Sequence, residues 1–332
     1  MEKISIALAT YNGEKFIEKQ LDSILNQTIR PDEVIIVDDN SSDDTVVLVE
    51  KFIEQNKLTN WELFSNKENL GYKRNFYNAL RRTSGEIVFL SDQDDEWHEN
   101  KIEIMLKTFQ MNIEIKTLNS AVDLIDESSN KIIQKADKNF YNSNFLYLER
   151  IPKDIEYFDM AYLGLHNISP GCTMAVKREI IDIFLQCYNF RLPHDWFMNL
   201  IAAAYGGCAF LNTTLVDYRQ HGSNAIGANT NPAVGILKKT RMIRIDDYSS
   251  RNSAIQCVTE NVGVKIDERL RAVISLNGSM ISFYEKPNPI KLIRLRLNPL
   301  YYQLAKKRVQ IWEILVSFRL DKLIIDFVKK GK

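Results

Sequence analysis

The chain has 332 residues, of which 45% are hydrophobic and 26% charged, and its formal net charge at pH 7 is zero. This length and composition fit two globular domains, or one large domain with an appendage. Because the charges balance, they exclude a protein that binds nucleic acid or membranes through overall basicity, and only a local concentration of charge could do so.

Strand and helix signals alternate four times in the first hundred residues. Short apolar runs predict buried strands, and apolar residues at helical spacing between them predict helices. This alternation is typical of an α/β protein with a mostly parallel sheet and helices on both faces. The predicted elements are strand 4–9, helix 16–25, strand 34–37, helix 44–55, strand 61–64, helix 72–82 and strand 87–90.

Three of these four strands end in polar groups: Thr10-Tyr11-Asn12, Asp38-Asp39 and Asp92-Gln93-Asp94-Asp95. Parallel α/β sheets bind ligands at the carboxyl ends of their strands, and scattered surface acids would not fall there repeatedly. On its own, the last segment could be a solvated turn in which Asp95 caps the next helix. Its position favours a ligand site, because crowded carboxylates repel one another unless a cation or hydrogen bonds hold them.

The sequence offers no glycine cradle for phosphates. The first turn, Thr10 to Gly13, does not match G-x-G-x-x-G, and no G-x-x-x-x-G-K-[ST] loop occurs in the chain. The charge of a phosphorylated ligand would therefore need another partner. A divalent metal on the clustered carboxylates is the partner that this sequence favours.

The second hundred residues add one candidate acid. Pro193-His194-Asp195-Trp196 opens an apolar helix predicted over residues 197–204, and an acid near a helix N-terminus is electrostatically favoured. Capping alone would explain Asp195. The other predicted elements are helix 102–109, strand 117–125, a loop excursion within residues 131–160, a turn and strand over residues 170–176, helix 178–187, and strands 209–211 and 215–219.

The last hundred residues change character. Helices are predicted over residues 236–254 and 267–284, and from Lys286 onward the chain carries twelve basic residues against three acids, interspersed with apolar and aromatic ones. Basic amphipathic helices of this kind bind anionic membrane surfaces. The alternatives are a helical subdomain that packs on the rest of the protein, or a homodimer interface. No nucleic-acid-binding module accompanies the charge, so we expect no nucleic acid.

A cytoplasmic location is expected. The four cysteines are scattered and form no C-x-x-C pair, which disfavours structural zinc and secretion. The first six residues lack the pattern of a signal peptide, and no uncharged apolar run reaches the length of a membrane span. Together with the basic segment from Lys286 onward, these features predict a protein at the inner face of the cell membrane.

Five motifs in order, ATYNG, VDDNSSDDT, NLGYKRN, GEIVFLSDQDDEW and HDW, resemble the family 2 inverting glycosyltransferases of GT-A fold. The resemblance covers about residues 1–225. SDQDDEW, GCTMA, HDW and YRQHGSN further resemble bacterial rhamnosyltransferases that build cell-wall or capsular polysaccharide. The implied organisation is a catalytic domain over residues 1–228, with a nucleotide-sugar half to about residue 100 and an acceptor half after it, followed by a helical region over residues 229–332.

The resemblance implies a role for each matching residue. Asp195 would be the catalytic base, and Asp94 would bind a divalent metal, Mg²⁺ or Mn²⁺, with His221 as a second ligand candidate. Thr10 and Tyr11 would pack against the nucleotide base. The other implied nucleotide-sugar contacts are Asn12, Asp39 (at the pyrimidine edge), Lys73, Arg74, Asp92 and Gln93, and the candidate acceptor contacts are Trp97, His194 and Trp196.

Several alternatives remain open for these residues. Tyr11 could be ordinary packing, and Lys73 and Arg74 could be a solvated helix start. Core packing could account for at least one of Trp97 and Trp196. Asp95 could be only a neighbour of the metal ligand or a helix cap.

The expected activity is metal-dependent, inverting transfer of a sugar from a UDP- or dTDP-sugar to a saccharide or lipid-linked saccharide. A sugar nucleotidyltransferase would also need metal-binding acids, but the absent glycine- and lysine-rich phosphate loop argues against it. A non-catalytic scaffold of the same fold is a rival from another class. The retained Asp94 and Asp195 argue against that rival.

Overall fold

The structure is a computed structural model, and it describes residues 2–133, 140–141, 146–147, 153–222, 240–304 and 307–321. The chain forms two compact units. Unit 1 comprises Met1–Asp159 and Asn167–His221, and unit 2 comprises Met160–His166 and Gly222–Lys332. A short segment from the middle of the chain therefore belongs to the C-terminal unit.

A mixed sheet forms the centre of unit 1, with the strand order β10-β12-β6-β11-β4-β1-β2-β3, to which β5 and β7 add at β12 and β6. A separate pair is formed by β8 and β9. The strands are β1 Ile4–Thr10, β2 Glu33–Asp38, β3 Trp61–Ser65, β4 Ile87–Asp92, β5 Glu96–Trp97, β6 Thr117–Ile125, β7 Lys131–Ile132, β8 Phe140–Tyr141, β9 Leu146–Tyr147, β10 Ile155–Tyr157, β11 Met174–Lys177 and β12 Cys208–Arg219.

The predicted parallel sheet is confirmed for the first four large strands. β1 pairs in parallel with both β2 and β4, and all seven of its residues are buried, as expected of a strand covered on both faces. The pairing aligns Thr10 with Asp38 and Ala9 with Asp92. The three polar strand ends noted in the sequence therefore lie side by side.

The other half of the mostly parallel sheet is mixed, because β12 runs parallel to β6 while other neighbouring strands run antiparallel. β11 runs antiparallel to both β4 and β6, and β10 runs antiparallel to β12. β11 follows a short 3₁₀ turn at Gly171–Thr173 and contributes only four residues. A strand this short carries no periodicity from which its direction could be predicted.

Helices cover the sheet, and their apolar sides face it. α1 buries Ile17, Leu21 and Ile24, which recur at helical spacing. α7 is buried on every side, with each residue from His194 to Ala203 inside the protein. The first seven helices are α1 Ile17–Leu25, α2 Thr45–Gln55, α3 Tyr72–Leu80, α4 Lys101–Met111, α5 Met160–Leu163, α6 Arg178–Cys187 and α7 His194–Ala204, of which α5 belongs to unit 2.

Unit 2 has its own hydrophobic core, built from α5 and the C-terminal helices. No helix in the described part of the chain is both long and apolar enough to cross a membrane. The helix predicted from residue 236 begins at Arg241, after Thr240, whose ψ of 149° is not helical. Residues 223–239 lie outside the described ranges, as does half of the excursion predicted within residues 131–160. The helices are α8 Arg241–Val262, α9 Glu268–Glu285, α10 Pro289–Arg296, α11 Tyr301–Leu304 and α12 Lys307–Ser317.

Candidate active site

The Gln93 side chain holds the peptide of Tyr11. Its Oε1 accepts the Tyr11 N–H at 2.6 Å, and its Nε2 donates to the Tyr11 carbonyl at 2.8 Å. The Tyr11 ring remains 46% exposed. The end of β4 thus fixes the backbone at the end of β1 and leaves an aromatic ring open to a ligand, whereas the Gln93 amide itself is occupied.

The turn after Tyr11 is shaped for this contact. A Cβ atom at Gly13 would overlap the Gln93 side chain, so only glycine leaves room for the amide there. Asn12 adopts the left-handed conformation with φ 48°, and its Oδ1 accepts the Ser42 N–H at 2.8 Å. Asn12, a predicted nucleotide-sugar contact, is therefore engaged within the protein.

The polar groups that end β2 are also occupied. Asp38 is buried and accepts the Thr10 hydroxyl at 2.8 Å, so the Thr10 side chain does not face the site. Asp39 is 2% exposed; its Oδ1 accepts the Leu70 N–H at 2.9 Å and its Oδ2 the Gly71 N–H at 2.7 Å. Asp39, the residue predicted at the pyrimidine edge, thus also holds the loop before α3.

The side chains of Lys73 and Arg74 both contact the loop at residues 190–191. Lys73 Nζ donates to the carbonyl oxygens of Phe190 and Arg191, each at 3.0 Å. The Arg74 guanidinium lies 4.5 Å from the centre of the Phe190 ring. Phe190 has a φ of 58°, which costs a bulky residue energy and is maintained by such contacts. These two predicted donor contacts therefore also support the loop that leads into Asp195.

Asp94 and His221 form a close pair. His221 Nε2 lies 2.7 Å from Asp94 Oδ2, and the two side chains are 7% and 15% exposed. His221 also lies against the Phe16 ring, with ring centres 4.9 Å apart. A carboxylate oxygen and an imidazole nitrogen that meet in this way offer two ligand atoms to a divalent cation.

Arg219, two residues before His221, organises the acidic loop. Its guanidinium is fully buried, donates to the carbonyl oxygens of Asp94 and Asp126 at 2.7 Å each, and forms an ion pair with Glu96. Its backbone N–H donates to Asp95 Oδ1 at 3.0 Å. A planar guanidinium can make these divergent contacts together, whereas a lysine ammonium cannot.

A second cation lies beneath the loop. Lys101 is fully buried, donates to the Cys172 carbonyl at 2.6 Å and lies 3.5 Å from the centre of the Trp97 ring. Burial lowers the pKa of Lys101 to about 7, against the opposing pull of Cys172, Asp95 and Asp92. Asp95 is fully buried above it, and burial together with the charge of Asp94 raises the pKa of Asp95 to about 7. Asp95 is thus neither exposed nor a helix cap, since α4 begins after Asn100.

Asp92, Asp95 and Cys172 place ligand atoms within 4.8 Å of one another. This trio suits a hard divalent ion poorly. Burial and the charges of Asp95 and Asp92 raise the pKa of the Cys172 thiol well above its usual value, and sulfur is a softer ligand than Mg²⁺ or Mn²⁺ prefers. The chemistry of the donor set fits a metal better at Asp94 and His221.

Asp92 and Asp195 belong to one electrostatic site. Burial first, and then the charges of Asp95, Asp94 and Asp195, raise the pKa of Asp92 well above its usual value. The pKa of the Tyr72 phenol is raised by burial and by the charges of Asp195 and Asp92, so that phenol lies in the field of both acids. The structure therefore brings the D-x-D acids and the predicted base together.

Asp195 is the second residue of α7 and is 5% exposed. Its Oδ2 accepts a hydrogen bond from Asn167 Nδ2 at 2.9 Å, and its carboxylate also accepts backbone N–H groups at the start of the helix. Burial raises the pKa of Asp195 despite these bonds. A buried carboxylate of raised pKa, fixed on a rigid helix, is suited to general-base chemistry.

The three predicted acceptor contacts are buried. Trp97 is 4% exposed in the hydrophobic core, so its expected stacking on an acceptor sugar is wrong. His194 is 3% exposed and stacks on Phe76 with ring centres 3.9 Å apart, and burial with the charge of Lys73 lowers its pKa to about 3. The stacking of His194 on Phe76 supports the start of α7 beside Asp195. Trp196 is 8% exposed and is therefore also buried.

A family model described as "Glycosyl transferase family 2" matches residues 5–183. A dTDP-rhamnosyl transferase, RfbG from Shigella flexneri, is 28% identical over 67% of this chain and 74% of its own.

Two solved structures share the fold. The structure of residues 1–349 of TarS from S. aureus in complex with UDP superposes with a TM-score of 0.52, 16% identity and coverage of 99% of this chain and 92% of that chain. A mannosyltransferase from Pyrobaculum calidifontis, in complex with GDP-Man and Mn²⁺, gives a TM-score of 0.53 and 16% identity over 94% of this chain and 88% of that chain.

Proposed function

The chain belongs to glycosyl transferase family 2 and is a glycosyltransferase that uses a nucleotide-sugar donor, and from this premise we propose a finer activity. The enzyme is a metal-dependent, inverting transferase that moves a sugar to a glycan or lipid-linked glycan. Rhamnose is the favoured sugar. The product belongs to a bacterial surface polysaccharide. The observation that carries the proposal is the Asp94–His221 pair, which lies in one site with Asp92 and Asp195.

The donor is a pyrimidine nucleoside diphosphate sugar, dTDP- or UDP-linked. Tyr11 offers an exposed ring at the end of β1, and base–aromatic stacking suits such a ring. The dTDP-rhamnosyl transferase relative favours dTDP-rhamnose, and the neighbour that binds UDP keeps UDP-sugars as the second choice.

Asp94 and His221 would hold a divalent metal, Mn²⁺ or Mg²⁺, with Asp92 close by. Bound there, the metal would offset the charge that develops on the departing diphosphate. The neighbour in complex with GDP-Man and Mn²⁺ supports this choice. Arg219 holds the loop that carries Asp94, so the carboxylate is already positioned.

Asp195 is the base of the transfer step. Its carboxylate takes the proton from the acceptor hydroxyl while that oxygen forms a bond to the anomeric carbon of the donor. The bond from the anomeric carbon to the diphosphate oxygen breaks on the opposite side, and its electrons leave with the nucleoside diphosphate. One in-line displacement inverts the anomeric centre. A divalent metal held by Asp94 and His221 would offset the charge of the leaving diphosphate, so no second catalytic acid is required.

The acceptor places the enzyme at the inner face of the cell membrane as a peripheral protein. A lipid-linked saccharide presents its sugar at the bilayer surface, and the basic C-terminal region fits such a surface. A homodimer is compatible with this arrangement, because cyclic pairs are common among soluble enzymes.

The proposal is tested by measuring release of nucleoside diphosphate from a panel of donors with Mn²⁺: dTDP-rhamnose, UDP-glucose, UDP-N-acetylglucosamine and GDP-mannose. We expect the highest rate with dTDP-rhamnose and loss of release in Asp195→Asn. Release from UDP-sugars alone would overturn the rhamnose assignment. No release from any donor, although nucleotide binds, would support the non-catalytic scaffold instead.

A further inference from the structure

Helix α10 presents an apolar stripe to solvent. Ile290 and Ile293 are 64% and 60% exposed, and Leu297, just beyond the helix end, is 77% exposed. Residues separated by three and four positions lie on one side of a helix. The other side, with Leu292 and Leu295, is buried in the core of unit 2, so α10 is apolar on both sides.

Helix α12 repeats the pattern. Ile311, Ile314 and Phe318 have the same spacing and are 61%, 39% and 61% exposed, while Trp312 and Val316 are buried in the core of unit 2. The two helices are in contact: Arg296 Nη2 donates to the Gln310 carbonyl at 3.1 Å. We call the exposed side chains of α10 and α12, with Leu297 and Phe318, the apolar face.

Exposed apolar residues are concentrated in this part of the chain. Of the nineteen large hydrophobic side chains that are exposed in the described residues, eight lie between residues 290 and 320. Single exposed apolar residues on a soluble protein need no explanation, but a concentration of them marks an interaction surface.

In the described residues from 286 to 321, the exposed charged side chains are positive. The acids in these same described residues are Glu313 and Asp321, and both are buried. Glu313 accepts the Tyr284 hydroxyl at 2.9 Å, and Asp321 pairs with Arg241 at 3.0 Å. The exposed charged side chains there include Lys286, Arg294 and Arg319, so the local excess of basic residues reaches solvent without neutralisation by these acids.

We propose that the apolar face and its flanking cations dock on an anionic lipid bilayer. Apolar side chains of this size enter the boundary between headgroups and acyl chains, while lysine and arginine contact the anionic headgroups. A second copy of the chain fits less well, because a two-fold interface sets each patch against itself and would bring the cations together. The inference rests on the proposed function only for the choice of the inner leaflet.

The test uses the full chain and point substitutions, because a truncation would remove core residues such as Tyr301 and Trp312. Sedimentation is measured with vesicles of phosphatidylglycerol and phosphatidylcholine, and with phosphatidylcholine alone. We expect binding to the mixed vesicles only, weakened by salt. Each of Ile293→Glu and Phe318→Glu should lower the affinity by about tenfold or more, and Arg294→Glu by about fivefold or more.

Met111→Glu is the matched control. Met111 is 83% exposed in unit 1, far along the chain from the apolar face, and its substitution should leave vesicle binding unchanged. Equal losses in Met111→Glu and Ile293→Glu, or no binding of the native chain to anionic vesicles, would overturn the proposal. So would a stable dimer in solution that Ile293→Glu dissociates while vesicles remain unbound.

Donor turnover without vesicles separates this proposal from the proposed function. We expect Ile293→Glu and Phe318→Glu to keep native rates of nucleoside diphosphate release in solution. A chain that binds anionic vesicles but turns over no donor would contradict the proposed transfer activity alone. A chain that turns over donor without binding vesicles would contradict the docking surface and the peripheral location, but not the transfer activity.

Discussion

His221 Nε2 lies 2.7 Å from Asp94 Oδ2, although 127 positions separate the two residues in sequence. The exposed pair His98–Asp217, 3.3 Å apart, provides a matched comparison, because it is also a histidine–aspartate pair at β12. We expect His221→Ala to weaken Mn²⁺-dependent binding of a nucleoside diphosphate by about 10- to 100-fold, and His98→Ala to leave it unchanged. Calorimetry with and without Mn²⁺ measures both, and an equal loss in the two variants would contradict the ligand assignment.

Asp195→Asn should separate catalysis from stability. Loss of the base should lower the transfer rate by about 10²- to 10⁴-fold, with nucleotide affinity nearly unchanged. Because burial raises the pKa of folded Asp195, the folded state binds this proton more tightly than the unfolded chain. Stability then falls as pH rises from the unfolded pKa through the folded one, so the neutral asparagine should raise Tm at pH 7. Asp182→Asn, at an exposed acid, is the control and should change neither rate nor Tm.

The pH dependence of transfer should follow the same raised pKa. Asp195 must be deprotonated to accept the acceptor proton, and a raised pKa keeps it protonated to higher pH. We therefore expect kcat/KM to fall as the pH decreases, and to do so at a pH above the usual pKa range of carboxylates. Measurement of kcat/KM against pH at saturating Mn²⁺ checks this, and an acid limb at the ordinary aspartate pKa would show that burial does not govern the base.

Arg219→Lys should lower the free energy of unfolding by more than is usual for a conservative substitution. It breaks some of the buried guanidinium contacts with the acidic loop, and each buried acceptor left without its hydrogen bond costs about 1–3 kcal/mol. Arg178→Lys is the control, since Arg178 is partly exposed and donates to Gly85 and Thr83. Urea denaturation should show a clearly larger loss for Arg219→Lys, together with weaker Mn²⁺-dependent nucleotide binding.

Tyr11→Ala should weaken nucleotide binding, and Tyr11→Phe should not. Stacking of a base on an aromatic ring contributes about 1–3 kcal/mol, and phenylalanine keeps the ring while the Gln93 amide still holds the backbone. Fluorescence titration with dTDP and UDP compares the variants. If Tyr11→Ala retained native affinity, the base would have to bind elsewhere.

The sequence predicted the elements of unit 1 well where apolar periodicity was dense. The strand expected over residues 117–125 and the helix expected over residues 178–187 coincide with β6 and α6. The position of the acids at neighbouring strand ends was also predictable, because parallel strands bring their carboxyl ends to one edge. The direction of the four-residue β11 could not be predicted, because its pairing with β4 and β6 determines it.

Which polar side chains are already hydrogen-bonded within the protein could not be predicted, because their partners are far away in sequence. Asp39 and Gln93 look equally available in the sequence, yet the first holds the loop at Gly71 and the second holds Tyr11, 82 positions away. Arg219 and Lys101 were missed for the same reason. One signal was present: a buried cluster of acids in a neutral chain requires buried cations, and Arg219 lies two positions from His221.

The segment Met160–His166 means that the two units cannot be exchanged at a single junction. Ala161 and Leu165 lie in the core of unit 2, and Arg251 donates to the Leu165 carbonyl at 2.7 Å. A recombination event, or an engineered chimera, that joined a foreign catalytic part to these C-terminal helices after residue 222 would leave part of that core behind. We therefore expect the two units to be inherited together, and a functional graft to carry residues 160–166 with the helices.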